Sequence, residues 1–414
     1  MNESVFKSYD IRGIYPVQLD QEAAFKIGQA FAVLTGSKRV AVCQDGRLSS
    51  PLLYGRLAEG LTRQGCDVYN LGQAPTECLY FAASKYGFDG GIMITASHNP
   101  KEYNGFKMIK KDADGLLEIV RGVELAEAAA KDYKPAEKFG EVKDLNFWPD
   151  YLEHVFSFFD PDKVSPMKIV VDASNGVAGK VISALKDRLP VSIIELNFKT
   201  DGDFPAHAPN PLLEDSRKQL AEKVISEKAD LGVIFDGDGD RIFLVDEKGK
   251  AVRSDIFLLL LASHFLKKYP GGGVAYNLIC SKAVPEEIKK MGGVPIRSKV
   301  GFVNMREALI KNKGIFSGEI SGHYTFRDNY YFDSGIIPFL LILQTVSQGN
   351  KKLTELAEEF PKYAISEEIN FEVKDKQGAL EKIKSKFKDG KQEYLDGVTV
   401  EYKDWWFNLR PSNT

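Results

Sequence analysis

The sequence predicts an α/β protein built from three similar mixed-sheet α/β domains and a smaller α+β domain at the C-terminal end. Three segments repeat the same order of strand, loop, helix and strand, which favours a duplicated α/β domain over one barrel. The first strands of these repeats are the apolar runs at 39–43, 168–172 and 273–277. A chain of 414 residues has room for about three or four domains of ordinary size.

The first domain is predicted to span 1–145. Its strand, helix and strand order is that of a βαβ unit. The predicted helices are 22–34 and one ending near 64, and the predicted strands are 39–43, 68–70 and 91–94. The stretch 116–140 is rich in Ala, Glu and Lys and predicts a helix followed by an exposed connector, so we place the boundary near 145.

The second and third domains, 146–249 and 250–363, follow the same order of elements. Predicted strands in them are 168–172, 191–196, 231–235, 273–277 and 294–298, with a helix at 284–290. None of the loops has a Walker A sequence or a clean G-x-G-x-x-G pattern, so a nucleotide site is not indicated.

The fourth domain, 364–414, is predicted from alternating apolar residues. A strand is expected at 369–373, a helix at 379–388 and a strand at 397–402, and the aromatic run 405–409 leads into the last loop.

A polar loop, Thr95-Ala96-Ser97-His98-Asn99-Pro100, follows the predicted strand 91–94. Ser97 is therefore expected at the C-terminal end of a strand, where open α/β sheets bind their ligands. The alternative is a simple turn in which the serine hydroxyl caps the next segment.

A second loop, Asp236-Gly237-Asp238-Gly239-Asp240-Arg241, follows the apolar strand 231–235. Three carboxylates this close repel one another unless a cation neutralises them. Oxygen ligands select a hard cation, so we expect Mg²⁺ rather than zinc. A calcium loop is excluded because Arg241 occupies its glycine position. A solvated acidic turn is the remaining alternative.

These two loops resemble the phosphoserine loop and the metal loop of the α-D-phosphohexomutase superfamily. Two further stretches agree in order and spacing: Gly318-Glu319-Ile320-Ser321-Gly322-His323 resembles its sugar-binding loop, and 410–414 its phosphate-binding loop. The form of the sugar-binding loop is most similar to the phosphomannomutase/phosphoglucomutase branch. The resemblance covers the whole chain and implies three similar domains around a central cleft plus a smaller C-terminal domain.

The resemblance also implies a role for each matching residue. The implied catalytic set is Ser97, His98, Lys107 and Arg241. The implied metal ligands are Ser97, Asp236, Asp238 and Asp240. The implied substrate contacts are Tyr9, Arg12, Glu319, Ser321 and His323. The implied phosphate contacts are Arg410, Ser412, Asn413 and Thr414.

Several of these residues also have ordinary structural interpretations. Arg12 could pair with Asp10 at the surface, and a lysine such as Lys107 is most often solvated. Glu319 and Ser321 are two residues apart, so in an extended loop they would face one side and suit two adjacent sugar hydroxyls. A capped turn is the alternative.

The sequence departs from the family at two places. Phe302 stands where many members of the branch carry a histidine, which leaves His323, Lys107 and Glu319 as acid–base candidates. His98 is expected to position the phosphoserine rather than to accept a proton. The sequence ends at Thr414, whereas family members usually continue with further strands and a helix. We therefore expect an incomplete and marginally stable fourth domain.

The implied function is a Mg²⁺-dependent mutase that interconverts hexose 1-phosphate and hexose 6-phosphate, of mannose, glucose or both. It would act through phosphorylated Ser97 and a 1,6-bisphosphate, with glucose 1,6-bisphosphate or an equivalent as activator. The alternatives are a phosphosugar phosphatase and a non-catalytic sugar-phosphate-binding fragment. Water reaching the phosphoserine past a shortened fourth domain would favour the phosphatase.

Composition restricts the partners. The net charge of −3 does not favour nucleic acid or an anionic membrane surface. The apolar runs are shorter than the ~20 residues of a membrane span. Four scattered cysteines without C-x-x-C spacing, and no signal-peptide pattern, predict a cytoplasmic protein with reduced thiols. We expect hexose phosphates as the ligands and a monomer or weak dimer.

Overall fold

The structure is a computed structural model that describes residues 2–349, 351–361, 363–366 and 368–411. It contains three α/β units with mixed sheets and a small β-rich unit at the C-terminal end, which confirms the predicted fold class. The predicted domain limits near 145 and 363 fall between these sheets, whereas the limit near 249 lies before the last strand of the second sheet, Ala251–Val252. All three limits stay predictions.

The first sheet has seven strands in the order β1-β5-β4-β2-β3-β7, with β6 beside β5. The strands are β1 (Ile11–Ile14), β2 (Arg39–Gln44), β3 (Asp67–Gln73), β4 (Gly90–Ile94), β5 (Tyr103–Lys111), β6 (Leu117–Val120) and β7 (Val142–Asp144). The helices are α1 (Gln21–Thr35), α2 (Ser50–Arg63), α3 (Thr76–Lys85) and α4 (Gly122–Ala129). Strand β4 runs parallel to β2 and antiparallel to β5. The loop after β4 therefore lies at the same end of the sheet as the loop that follows β2.

The second sheet has the order β12-β11-β10-β8-β9. Its strands are β8 (Lys168–Asp172), β9 (Ser192–Leu196), β10 (Leu231–Phe235), β11 (Ile242–Asp246) and β12 (Ala251–Val252). Its helices are α5 (Trp148–Phe156), α6 (Ala178–Leu185) and α7 (Glu214–Glu227). Because β10 and β11 are antiparallel neighbours, the acidic loop 236–241 is a tight connection between two fully buried strands.

The third sheet has the order β14-β13-β15-β16-β17. Its strands are β13 (Gly273–Asn277), β14 (Val294–Ser298), β15 (Phe316–Gly318), β16 (Tyr324–Phe326) and β17 (Phe332–Asp333). The helices of this part of the chain are α8 (Ser254–Lys268), α9 (Ala283–Lys290), α10 (Phe302–Lys311), α11 (Ile336–Gly349) and α12 (Leu353–Glu358). The sugar-loop candidate therefore lies in the hairpin between β15 and β16.

The last part of the chain forms a small antiparallel sheet, β18-β19-β20, beside one helix. The elements are α13 (Lys376–Lys386), β18 (Lys391–Glu393), β19 (Val398–Glu401) and β20 (Trp406–Leu409). The predicted strand at 369–373 is wrong, because no strand forms there. Ile369 and Phe371 are exposed, so this segment has neither a pairing strand nor a core to cover.

One hydrophobic core connects the first three sheets. It includes Phe81 of α3, Tyr151 of α5, Phe235 of β10 and Phe339 of α11. Helix α11 is buried along most of its length, which explains its apolar sequence as core packing. Within the described residues, no helix has both the length and the apolar character needed to cross a membrane.

Candidate active site

Ser97 lies directly after β4 and is fully buried. Its Oγ is 3.0 Å from Oδ2 of Asp236 and 3.4 Å from Nδ1 of His98. Its backbone has a left-handed conformation with φ of 52°, and its N–H donates to Oγ1 of Thr95 at 2.7 Å. A non-glycine residue in this region is strained and persists where the surroundings hold it, which is common at functional sites. The arrangement aims the hydroxyl at the acidic loop of the second sheet.

The side chain of Arg47 supports the serine loop, residues 95–100, and the sequence analysis did not predict this role. Its side chain is fully buried and pairs with Asp45, with Nε 3.0 Å from Oδ2. The guanidinium also donates to four main-chain carbonyls, those of Ser97 (2.8 Å), Asn99 (2.7 Å), Pro100 (2.6 Å) and Tyr103 (3.0 Å). A planar guanidinium suits such a set of acceptors, so Arg47 fixes the path of the loop.

The acidic loop forms a compact carboxylate cluster. Asp236, Asp238 and Asp240 are all buried, and each offers one ligand oxygen within 4.8 Å of the others. Lys107 of β5 donates to Oδ2 of Asp238 at 2.7 Å and to Oδ2 of Asp240 at 2.5 Å. Arg241 lies against Asp236, with Nε 3.6 Å from Oδ2. The solvated-turn and solvated-lysine alternatives are therefore wrong, since these charges are buried together.

Thr76 is a further contact that the sequence did not indicate. It is the first residue of α3, and its Oγ1 donates to Oδ2 of Asp238 at 2.6 Å. Its N–H donates to the main-chain carbonyl of Asp238 at 3.0 Å. No local sequence pattern distinguishes this threonine from any other in the first turn of a helix.

The pKa values of the three carboxyl groups are not shifted in the same direction. Burial, with the charges of Asp238 and Asp240, raises the pKa of Asp236 well above its usual value. Burial also opposes ionisation of Asp238 and Asp240, but the Lys107 ammonium holds the pKa of both below the usual value. Burial alone would lower the pKa of Lys107, yet these two carboxylates raise it. Lys107 is thus a fixed positive charge.

Two cationic side chains surround His98. Its pKa is lowered by the positive charge of Arg241, by burial and by Arg12, so the imidazole is neutral. Arg12 pairs with Asp10 at 2.8 Å and also donates from Nη1 to Oδ1 of Asn99 at 2.5 Å. Arg12 therefore forms the expected pair with Asp10, although this pair is mostly buried, and it also reaches the serine loop. Its contact with substrate stays a prediction.

The sugar-loop candidate is a tight turn rather than an extended segment. The N–H of Gly322 donates to the carbonyl of Glu319 at 3.1 Å, and Gly322 has a φ of 85°. The extended-loop prediction is therefore wrong, because the β15–β16 hairpin imposes a turn. Glu319 and Ser321 still converge, since Glu319 Oε1 is 3.9 Å and Ser321 Oγ 3.1 Å from Nδ1 of His323.

His323 joins this turn to the acidic loop. Its backbone forms a bridge with that of Arg241, and its Nε2 is 3.5 Å from Oδ1 of Asp240. The ring of Phe302 lies 5.8 Å from the His323 ring, centroid to centroid. The departure at Phe302 therefore places an apolar ring beside the histidine.

Tyr9 and Glu319 meet at the loop that precedes α10. The amide of Asn304 donates to the Tyr9 hydroxyl at 2.9 Å. Glu319 is buried, and its Oε2 accepts from Nδ2 of Asn277 at 3.2 Å and from the N–H of Gly301 at 3.1 Å. The first and third sheets thus both contribute polar groups to this part of the site.

Arg410 forms no hydrogen bond or ion pair with these groups within the part of the chain that the structure describes. Its Nη2 is 3.6 Å from Oε1 of Glu368, and the residue lines a cavity of about 2140 Å³ between the small C-terminal unit and the second and third sheets. Among the described residues, neither Ser97 nor the three aspartates line this cavity. The predicted phosphate contacts Ser412, Asn413 and Thr414 lie outside the described residues.

Sequence profiles of known families match most of the chain. The profiles described as phosphoglucomutase/phosphomannomutase, alpha/beta/alpha domains I, II and III match residues 3–121, 149–249 and 253–363. The phosphomannomutase of Methanocaldococcus jannaschii is 40% identical over 415 residues, covering 99% of this chain and 91% of the relative. That of Vibrio cholerae serotype O1 is 38% identical over 430 residues, covering 99% and 92%. The crystal structure of a phosphoglucomutase/phosphomannomutase family protein from Burkholderia thailandensis superposes with a TM-score of 0.90 at 32% identity, covering 100% of this chain and 91% of that one.

Proposed function

The chain belongs to the phosphoglucomutase/phosphomannomutase family and is a hexose phosphate mutase, and we propose that it works through a phosphorylated Ser97. The reaction would interconvert the 1-phosphate and 6-phosphate of mannose, glucose or both through a 1,6-bisphosphate. The observation that carries this proposal is the approach of the Ser97 hydroxyl to the buried carboxylate cluster, at 3.0 Å from Asp236.

The carboxylate cluster is suited to a divalent cation. Asp236, Asp238 and Asp240 supply only oxygen ligands, which favours Mg²⁺ over softer metals. Oδ1 of Asp238 is buried and has no hydrogen-bond partner among the described residues, so a ligand atom is available. The three aspartates, with an oxygen on Ser97, would hold the ion. When bound, Mg²⁺ supplies positive charge that stabilises a transferring phosphoryl group.

The surrounding side chains position the reacting groups. In the first half-reaction the bond between phosphorus and Ser97 Oγ breaks, and a bond to the free sugar hydroxyl forms. Phosphoryl transfer depends mainly on positioning and electrostatics, and Lys107 and Arg241 supply fixed positive charge beside the serine. Arg47 and Arg12 hold the serine loop through its carbonyls and Asn99. The second half-reaction returns the other phosphate of the bisphosphate to Ser97.

A base must accept the proton of the attacking hydroxyl. Lys107 is unsuited to this, because the carboxylates raise its pKa and keep it protonated. His323 and Glu319 remain, and they lie together on the β15–β16 turn. We assign to this turn both the grip on the sugar hydroxyls, with Ser321, and the proton transfer. His98 orients the phosphorylated serine from 3.4 Å.

The proposal also assigns roles to Tyr9 and to the loop at the end of the chain. Tyr9 is part of the sugar site, because its hydroxyl donates to the carbonyl of Val300 at 3.5 Å, next to Gly301, whose N–H donates to Glu319. Both orientations of the sugar must present one phosphate to a fixed anion site. Arg410, with Ser412, Asn413 and Thr414, is proposed for that site, which requires movement of the C-terminal unit toward the serine.

The decisive test is Ser97→Ala in a mutase assay. The assay contains Mg²⁺ and a trace of glucose 1,6-bisphosphate, with mannose 1-phosphate and glucose 1-phosphate in parallel. We expect turnover to fall at least about 1,000-fold, because no group remains to carry the phosphoryl. Ser263→Ala, which removes a hydroxyl bonded within α8, serves as the matched control and should be fully active.

Near-normal turnover by Ser97→Ala would contradict the phosphoserine proposal. Intact mass of the wild type, with and without glucose 1,6-bisphosphate, should show one phosphate that the variant lacks. Release of inorganic phosphate without isomer formation would identify the chain as a phosphatase instead.

A further inference from the structure

Thr76 connects the first sheet's unit to the acidic loop of the second. Its hydroxyl donates to Oδ2 of Asp238 at 2.6 Å and its N–H to the Asp238 carbonyl at 3.0 Å. Both residues are fully buried. A buried hydrogen bond to a charged oxygen, with water excluded, is stronger than most side-chain hydrogen bonds in proteins. The serine and the carboxylates come from different sheets, so this contact bears directly on their relative position.

The start of α3 is itself held in place. A Cβ at Gly239 would lie 3.3 Å from Cβ of Pro75, so the acidic loop packs closely against this helix start. The next residue, Glu77, is buried and accepts from the Tyr151 hydroxyl of α5 at 2.7 Å. Because neighbours on both sides are fixed, the Thr76 hydroxyl has a defined position from which to orient Asp238.

The two oxygens of Asp238 have different surroundings. Oδ2 accepts from both Thr76 and Lys107, at 2.6 and 2.7 Å. Oδ1 is buried and has no hydrogen-bond partner among the described residues. The donors therefore occupy one oxygen and leave the other without a hydrogen bond among the described residues. Donors that hold a metal ligand in this way typically change metal affinity by about 10–100-fold when removed.

We propose that Thr76 is a positioning residue that orients Asp238 so that its Oδ1 is the oxygen offered to the divalent cation. This inference rests on the metal-dependent function proposed above. It assigns Thr76 no contact with the sugar phosphate. The effect should therefore appear in metal binding itself, before any reaction.

The test is titration of the full-length chain with Mn²⁺, a spin probe for the Mg²⁺ site, followed by electron paramagnetic resonance. Thr76→Val keeps the shape and removes the hydroxyl, and we expect its Kd for Mn²⁺ to rise about 10–100-fold. Thr76→Ser keeps the hydroxyl and should bind close to the wild-type value. Thr354→Val removes another hydroxyl that donates to a carboxylate, Oδ2 of Asp246 at 3.1 Å, at the far end of β11. That control should bind Mn²⁺ normally.

A folded Thr76→Val protein with the wild-type Kd would overturn the inference, and so would a Thr76→Ser protein as weak as Thr76→Val. Far-UV circular dichroism checks the fold, and Thr76→Ala repeats the measurement if the valine variant is unfolded. A wild type that binds no Mn²⁺ would instead remove the metal-dependent function as a whole. Failure of the inference and failure of the proposed function are therefore distinguishable.

Discussion

Arg47 illustrates how a single buried side chain can hold the loop of Ser97. Its guanidinium bonds the carboxylate of Asp45 and the carbonyls of the serine loop. Burial lowers the pKa of Arg47 while Asp45 raises it, so the pair stabilises its charges mutually. Removal of the guanidinium would leave the buried Asp45 carboxylate without its charge partner and the carbonyls of Ser97 and Asn99 without this donor.

Arg47→Lys should therefore be damaging although it keeps the charge. A lysine has no planar fork and cannot reach the same carbonyls, so we expect a loss of about 3–5 kcal/mol in unfolding free energy. Displacement of Ser97 should also lower mutase turnover by about 100-fold. Urea unfolding and the mutase assay measure the two effects.

Arg56→Lys is the matched control for this substitution. Arg56 forms partly exposed pairs with Glu22 and Glu59, and a change there should stay within about 0.5 kcal/mol. If Arg47→Lys matched this control in stability and turnover, the proposed role of Arg47 would be wrong.

At the scale of elements, α1 and α2 approach each other through two glycines. A Cβ at Gly28 would lie 2.4 Å from the carbonyl oxygen of Leu57, and one at Gly60 would lie 2.2 Å from that of Phe25. These contacts are with backbone atoms, which cannot move aside as a flexible side chain can. The close helix pair covers one face of the first sheet and so supports the strand that carries Ser97.

Gly60→Ala should separate the two helices. Because the new methyl group meets backbone, we expect a loss of about 1–3 kcal/mol, measured by urea unfolding. Gly55→Ala on the same helix is the control, since a Cβ there meets nothing within 4 Å. It should gain about 0.5–1 kcal/mol from helix propensity. Equal effects of the two substitutions would show that the helices are not closely packed.

At the scale of the whole molecule, Glu77 marks the point where three units meet. Helix α3 carries it, Tyr151 of α5 donates to it at 2.7 Å, and Ser334 before α11 is near enough to lower its pKa. Burial, opposed by these hydrogen bonds, raises the pKa of Glu77 to about 8. The folded protein therefore keeps a proton on Glu77 at neutral pH, whereas an unfolded chain releases it above about pH 4.3.

This difference in the pKa of Glu77 predicts that the free energy of unfolding depends on pH. The folded state binds the proton of Glu77 more tightly than the unfolded state does. The contribution of Glu77 to the free energy of unfolding is therefore lost as the pH rises from about 4.3 to about 8. Glu77→Gln removes the titration. Its unfolding free energy relative to wild type should increase steadily with pH across that window, as measured by urea unfolding.

The control for this experiment is Glu127→Gln, at an exposed carboxylate whose pKa Lys131 lowers through a hydrogen bond. Glu127→Gln should not become more stable relative to wild type as the pH rises, because folding lowers the pKa of Glu127 instead of raising it. A constant difference between Glu77→Gln and wild type would mean that Glu77 is already ionised in the folded protein.

Local patterns were sufficient for the α/β class and for the strands that precede Ser97 and Asp236. Apolar runs and polar loops are properties of neighbouring residues, so they can be recognised without knowledge of the fold. The same approach was wrong for 369–373, where an alternating pattern has no partner strand. It was also wrong for the extended form of the sugar loop, because hairpin pairing decides that conformation.

The amino-acid sequence by itself was enough to single out the two loops, those of Ser97 and Asp236, that the structure brings together. It could not reveal which side chains support them. The hydroxyl of Thr76 and the carboxylate of Asp238 are 162 positions apart, and Ser97 and Asp236 are 139 apart. Each of these pairs joins two separate sheets. The packing of the sheets against one another decides which buried polar groups become partners, and no local pattern records that packing.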